Sequence, residues 1–308
     1  MTDVTFVERP TAKEIHMLLG WRQWADAGSV SSGLPQYLIE QEQAYKIGEI
    51  SPDGFYLFQI PGTHDMVRPM VKFEEGYPVY LERERNEFFY AGDEEHGVVY
   101  FLGDEPHLDV DRYINALLDA ARTLRVKRMI GFGGVYGEVP YARARTISCT
   151  YSQKEMKPEL DKLAVNFSDY QGGSSIGSYL CRRAAEQGIE YISLYAFVPS
   201  YDFAGMQGGS SGIQIENDYA AWLELMRRVD YLLKLGMDLS DLETKSQRLH
   251  RLMDAKISEI VKANPELGVE TYLRQLEDDF EEMVFEPLQD LWEEEISRLF
   301  GELKEEEE

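Results

Sequence analysis

Segments of strand length, rich in aliphatic and aromatic residues, recur through the first two thirds of this chain: Ile15–Trp21, Tyr45–Ile50, Val98–Leu102, Arg128–Gly133 and Tyr191–Val198. Several are near-continuous apolar runs rather than alternations, Val98-Val99-Tyr100-Phe101-Leu102 being typical. An alternating strand needs cover on one face, whereas a strand that is apolar on both sides must be buried on both. Helical patterns lie between these segments. Val110–Leu124 places Tyr113, Leu117, Leu118, Ala121 and Leu124 on one stripe, and Ile176–Gln187 runs into Gly188, a residue suited to a helix C-terminus. This order of strand and helix predicts an α/β domain with a mainly parallel central sheet.

Phe55–Phe89 breaks the rhythm. It carries Pro61, Pro69, Pro78 and several glycines around short segments such as Tyr77–Leu81 and Phe88–Tyr90. That pattern predicts hairpins or a β-meander at an edge of the sheet. After Ile213 the strand signals give way to helical spacing. Trp222, Met226, Val229 and Leu233 form one stripe, and Leu249, Leu252, Met253, Ile257 and Ile260 another. Leu273, Leu276, Phe280, Met283, Leu288, Leu291 and Trp292 form the last, with Pro265 suited to starting a helix and Pro287 to kinking one. The expected organisation is an α/β domain over residues 1–212 and an α-helical subdomain over 213–308.

With 44% hydrophobic and 12% aromatic residues, the 308-residue chain has ample material for a core and is unlike a disordered segment. Its 56 acids against 31 bases leave a net charge of −25. Such a surface repels nucleic-acid phosphates and anionic lipid headgroups, so neither partner is expected. The excess is concentrated near the end: residues 274–308 hold 15 acids and three bases. A solvated helix face explains most of such a run, and a basic protein partner is best sought there. No apolar run is long enough to span a membrane, and the first residues lack the basic-then-apolar layout of a secretory signal. Cys149 and Cys181 are too few for a disulfide framework and fit buried small hydrophobes, which suits a reducing cytoplasm.

Several loops carry candidate chemistry. Gly173-Ser174-Ser175-Ile176-Gly177 fits G-x-S-x-G, which in a hydrolase would expose Ser175 as nucleophile. Against this, Gly208–Gly212 matches the same loose rule, and only His250 follows as a base, between Arg248 and Arg251 on a helical stripe. The plain alternative is a helix start capped by Ser174 or Ser175. A milder function uses the free amides of Gly172, Gly173, Ser174 and Ser175 to hold an anion. Gly20-Trp21 and Asp26-Ala27-Gly28 follow the first long strand, at the sheet edge where α/β sites gather. Asp26 either acts chemically or fixes its own loop. Glu105 and His107 flank Pro106 after another strand and suit either proton transfer or strand-end turn chemistry. Arg143 and Arg145 suit either a carboxylate or phosphate ligand or the protein's own acids. No dinucleotide or P-loop fingerprint occurs, and the histidines at 16, 64, 96, 107 and 250 have no metal-site spacing, so no cofactor and no metal are expected.

The order of these loops is itself informative. Gly20-Trp21 with Asp26-Ala27-Gly28, Leu102-Gly103-Asp104-Glu105-Pro106, Gly133–Pro140 with Arg143, Tyr170-Gln171-Gly172-Gly173 and Val198-Pro199-Ser200-Tyr201 together resemble the proteasome assembly chaperone 2 family over roughly residues 10–205. The resemblance implies a fold similar to the nucleoside phosphorylase/hydrolase-like α/β fold, with a helical C-terminal region as in bacterial members. It implies a non-catalytic, homo-oligomeric, assembly-chaperone-like protein, whose helical region is open to a further protein partner. The alternative it leaves is a small-molecule enzyme, nucleoside-phosphorylase/hydrolase-like or carboxylate-amine ligase-like. Its site would lie among Gly20, Trp21, Asp26, Gly28, Glu105, Arg143, Gly172–Ser175 and Tyr201, and would take a small anionic ligand. The chain departs from the family pattern in the three extra residues Gln23-Trp24-Ala25 and in Tyr141-Ala142-Arg143-Ala144 where a His-Thr-Arg-Pro stretch is usual. It also has Gly172-Gly173-Ser174-Ser175 in place of Gly-Pro-Thr-Gly, and ends in four glutamates rather than a hydrophobic-Tyr tail.

Overall fold

The computed structural model describes residues 3–22, 24–59, 68–203 and 212–285. In chain order the elements are β1 (Val4–Phe6), β2 (Glu14–Arg22), α1 (Gly33–Gln41), β3 (Tyr45–Ile50), β4 (Val71–Glu74) and β5 (Tyr77–Leu81). There follow β6 (Asn86–Gly92), β7 (His96–Asp104), α2 (Val110–Thr123), β8 (Arg128–Gly137), β9 (Ile147–Tyr151), α3 (Lys157–Leu160) and β10 (Asn166–Phe167). The chain continues with α4 (Ile176–Glu186), β11 (Tyr191–Asp202), β12 (Gly212–Gln214), α5 (Tyr219–Leu233), α6 (Ser240–Ala263) and α7 (Val269–Asp278).

Ten strands form one sheet, ordered β1-β3-β6-β7-β2-β8-β11-β9-β10 with β12 added to β11. The middle four, β7-β2-β8-β11, are parallel. On one side β6, β3 and β1 continue antiparallel; on the other, β9 is antiparallel to β11 and β10 parallel to β9. The sheet is therefore mixed, with a parallel centre. Connection length explains the split: α2 lies on the long crossover from β7 to β8 and α4 on that from β8 to β11, while three residues between β6 and β7 permit only an antiparallel turn.

The apolar runs are covered on both faces, as their composition requires. On β7, Val98, Tyr100 and Leu102 enter one core, and Val99 and Phe101 the other. The first core is closed by α1, α5, α6 and the segment Met156–Val165; the second by α2 and α4. Burial is worth roughly 25 cal/mol per Å² of apolar surface, so these two layers dominate the stability. Trp222, Leu225, Met226 and Val229 of α5 share the first core with Ile192, Leu194, Ala196 and Val198 of β11. The helical region is thus fused to the sheet through α5, and α6 packs outside it.

Two expectations are corrected. Phe88–Tyr90 does not belong to an edge meander: β6 lies inside the sheet between β3 and β7. Its Phe88 and Tyr90 face the α2/α4 core while Phe89 and Ala91 pack on the other, so it too needs cover on both faces. Tyr77–Leu81 does form a hairpin, but with β4 in a separate two-stranded sheet whose residues are all exposed. Phe280 and Met283 lie beyond the end of α7, outside any helix. Pro61, His64, most of the second G-x-S-x-G match, the Pro287 kink and most of the acidic end fall outside the described residues. Among the described residues no helix is long and apolar enough to cross a membrane.

Candidate functional site

The segments that follow β2 and β7 meet the start of α4 beside Phe132 of β8 and Tyr195 of β11. The first follows β2, and its close approach explains Gly20: a Cβ there would lie 1.7 Å from the Ser31 carbonyl oxygen. Asp26 folds this loop onto the start of α1, accepting from the Ser31 and Ser32 amides at 2.9 Å and from Ser32 Oγ at 2.6 Å. Burial outweighs these bonds and raises its carboxyl above the ordinary range. Gly28 has φ +62° and its carbonyl accepts from the Asp218 amide at 2.9 Å and from Trp222 Nε1 at 3.1 Å. Asp26-Ala27-Gly28 therefore joins β2, α1 and α5. Its acceptors are spent within the fold. Trp21 is buried, its Nε1 donating to Tyr113 Oη at 3.0 Å.

The start of α4 lies alongside. Ser175 is its N-cap, with Oγ accepting from the Ser178 amide at 3.2 Å and 2.9 Å from Tyr195 Oη. Removing that cap by Ser175→Ala should cost about 1 kcal/mol in urea unfolding, and an unchanged midpoint would refute the capping role. The Ile176 amide donates to Glu105 Oε1 at 3.0 Å. The anion expected at this helix start is thus supplied in part by the chain's own carboxylate. Burial pushes the Glu105 carboxyl up, opposed by that single amide. Gly172, Gly173 and Ser174 are exposed ahead of the cap. Glu105, Ser175 and Tyr195 line a narrow cleft with Trp21, Ala25, Ser31, Phe132, Ile176 and Gly177, whose cavity volume of about 10 Å³ matches a single water molecule.

The other candidates lie elsewhere. Arg143 is exposed and pairs at 3.5 Å with Glu282, which also accepts from the Ala144 amide at 2.9 Å. Tyr201 is buried, donating to the Val139 carbonyl at 2.7 Å and accepting from the Tyr141 amide at 2.8 Å. It pins the β8–β9 loop. His107 Nδ1 accepts from the Leu57 amide at 3.0 Å, so Glu105 and His107 serve two different loops rather than one proton-transfer pair. His250 sits on α6, where burial lowers its pKa and Arg145 and Asp218 act on it; Ser175 caps α4, on the opposite face of the sheet. No Ser-His pair is assembled among the described residues. Both cysteines are buried and free, and burial pushes the Cys149 thiol up to about 12. Among the described residues no group of three His, Cys, Asp or Glu side chains is placed to hold a metal.

Sequence reasoning missed Tyr195 and Asp218, and it left Arg145 open between a ligand and the protein's own acids. Tyr195 reads as one more apolar position of a strand, although its hydroxyl reaches the cleft. Arg145 and Asp218 form an ion pair at 2.8 Å with both side chains fully buried, and Asp218 also caps α5 through the amides of Ala220 and Ala221. An Asp directly before a helical stripe is a visible capping signal. Its distant arginine is not.

A model of the PAC2 family matches residues 21–257. Among solved structures, a Mycobacterium tuberculosis proteasome-assembly chaperone homologue, Rv2125, is similar with TM-score 0.68 at 20% identity, over 80% of this chain and 96% of that one. A PAC2 family protein from Streptomyces avermitilis follows with TM-score 0.66 at 20% identity, over 84% and 99%. Pyrococcus furiosus PbaB, described as an archaeal proteasome activator, gives TM-score 0.57 at 18% identity, over 83% and 99%. These structures share the fold. No curated protein matches the sequence. Since the family model covers well over half of its length, from the end of β2 into α6, the chain belongs to the PAC2 family.

Proposed function

We propose that this protein is a non-catalytic, assembly-chaperone-like binder of other proteins, acting as a homo-oligomer in the cytoplasm. Relatives of the same fold are described as a proteasome-assembly chaperone homologue and a proteasome activator, which supports the reading. The observation that carries it is the β4–β5 hairpin. Met70, Val71, Phe73, Tyr77, Val79, Tyr80 and Leu81 are all exposed large apolar side chains within twelve residues. An isolated two-stranded hairpin is marginally stable in water, and soluble monomers rarely display so dense a patch. Contact with another subunit would cover it.

In this reading residues 1–212 form the scaffold and residues 213–308 the partner-facing helical part, with α5 as the joint and the acidic end as the surface for a basic protein. The enzyme alternative, whether nucleoside-phosphorylase/hydrolase-like or ligase-like, has weaker support. Arg143 and Tyr201 lie away from the cleft, and the helix start meant for an anionic ligand is bonded to Glu105.

Phe73→Asp with Tyr77→Asp tests the reading, since both side chains are exposed, at 57% and 72%, and neither supports the core. Light scattering should give a multiple of the chain mass for the native protein and a single chain for the variant. A native protein that runs as one chain at micromolar concentration, or a variant that keeps the full assembly, would overturn the oligomeric part.

A further inference from the structure

Beyond α7 the chain runs through residues 280–285 in neither helix nor strand. Two side chains hold this stretch to the body. Glu282 accepts from the Ala144 amide at 2.9 Å and lies 3.5 Å from the Arg143 guanidinium. Phe285 is buried, edge-on to Tyr231 of α5 at 5.5 Å between ring centres, with the Arg228 guanidinium 5.0 Å from its ring. Between these anchors Met283 and Val284 are exposed, and among the described residues no backbone group of 281–285 is hydrogen-bonded. The seat, by contrast, is built without the segment that fills it. Arg228 is fixed by the carbonyls of Leu163, Ala164 and Glu224 and by the Glu224 carboxylate. Ala144 adjoins Arg145, which is locked by its buried pair with Asp218 and itself holds the Tyr141 and Arg143 carbonyls. A preformed seat filled by an irregular segment on two side-chain anchors is a contact that opens locally at low cost.

We propose that the seat formed by Arg143, Ala144, Arg228 and Tyr231 is a docking site for an acidic-aromatic segment of a partner protein, Glu-x-x-Phe in pattern. Residues 282–285 occupy it in cis until such a segment displaces them. Charge and shape select this occupant. The loop end offers a guanidinium and an amide to a carboxylate, and the α5 end offers an aromatic edge and a cation to a ring. Three residues of extended chain span at most about 10 Å, which sets the spacing of the two anchors. The inference goes beyond the chaperone-like reading and uses neither the hairpin nor a basic partner at the acidic end, so either can fail alone.

The test uses the full ¹⁵N-labelled chain carrying Glu282→Lys and Phe285→Ser, which empties the seat, and an end-blocked peptide of residues 279–285. The expected result is a saturable return of the Ala144 amide signal to its native position. The native chain should bind the peptide at least about tenfold more weakly, because its own tethered segment competes at a high effective concentration. Peptides carrying Glu282→Lys or Phe285→Ala should each lose at least about tenfold. Arg143→Glu on the emptied background should weaken the unchanged peptide by about fivefold or more. No saturable return, equal binding by the native chain, or indifference to any of these substitutions would each overturn the proposal. So would a native Ala144 signal that moves to its emptied position on dilution, since a second copy would then be the occupant. If the double variant does not fold, Glu282→Lys alone decides, because it frees the loop end without touching the core; a peptide without effect on it overturns the proposal too.

Discussion

Arg145→Met should lower the unfolding free energy by about 3–5 kcal/mol, an effect on the scale of the whole stability of many domains. The arginine and Asp218 are fully buried, with Nε 2.8 Å from Oδ2. Removing the cation leaves a carboxylate without its counter-charge where water cannot reach it. Arg145 also donates through Nη1 to the carbonyls of Tyr141 at 2.9 Å and Arg143 at 3.0 Å, so the β8–β9 loop loses its anchor at the same time. Asp218 caps α5, the helix that closes one face of the sheet, and the damage therefore falls on the joint between the sheet and the helices. Arg143→Ala provides the contrast. That arginine is 47% exposed and 3.5 Å from Glu282, so its loss should cost less than about 1 kcal/mol. Urea unfolding with an unchanged slope reports both values. A Met variant no less stable than the Arg143→Ala variant would show that the buried pair is not what holds α5 to the sheet.

Gly20→Ala should cost about 3 kcal/mol or more, at or above the upper end of ordinary overpacking. The added methyl would lie 1.7 Å from the Ser31 carbonyl oxygen and 2.8 Å from Pro35 Cγ. Neither is the flexible end of a side chain. The 26–32 loop must retreat, which disturbs the Asp26 bonds to Ser31 and Ser32 and the Gly28 carbonyl bonds to Asp218 and Trp222. Gly173→Ala is the internal control, because a Cβ there meets nothing within 4 Å, and its effect should stay within about 0.5 kcal/mol. Thermal unfolding of the two variants side by side decides the matter. Equal stability would mean that the loop moves freely and that the crowding at Gly20 carries no energetic weight.

The central strands and α2, α4, α5 and α6 are legible in the sequence, because an apolar run or a stripe at helical spacing states how many faces need cover. Val98–Leu102 is the clearest case: every residue is buried, in two different cores. The short outer strands are less legible. β1, β10 and β12 have two or three residues each, too few for a period to show, and they exist because a neighbouring edge offers unpaired amides and carbonyls. The fate of the candidate residues divides along the same line. A serine before an apolar helical stripe announces a cap, and Ser175 is one.

Local physics written in consecutive residues is therefore determined by the sequence itself: strand and helix periods, the caps, the excess of acid and the loop order that resembles the PAC2 family. Pairings across distance are decided only by the tertiary structure. Glu105 and Ile176 are 71 residues apart, Arg145 and Asp218 are 73. Whether a carboxylate ends beside an amide, a guanidinium or an open cleft depends on which loops the sheet order brings together. Strand order follows from crossover length and the burial of both sheet faces, which are properties of the assembled layers, and no window of sequence contains them.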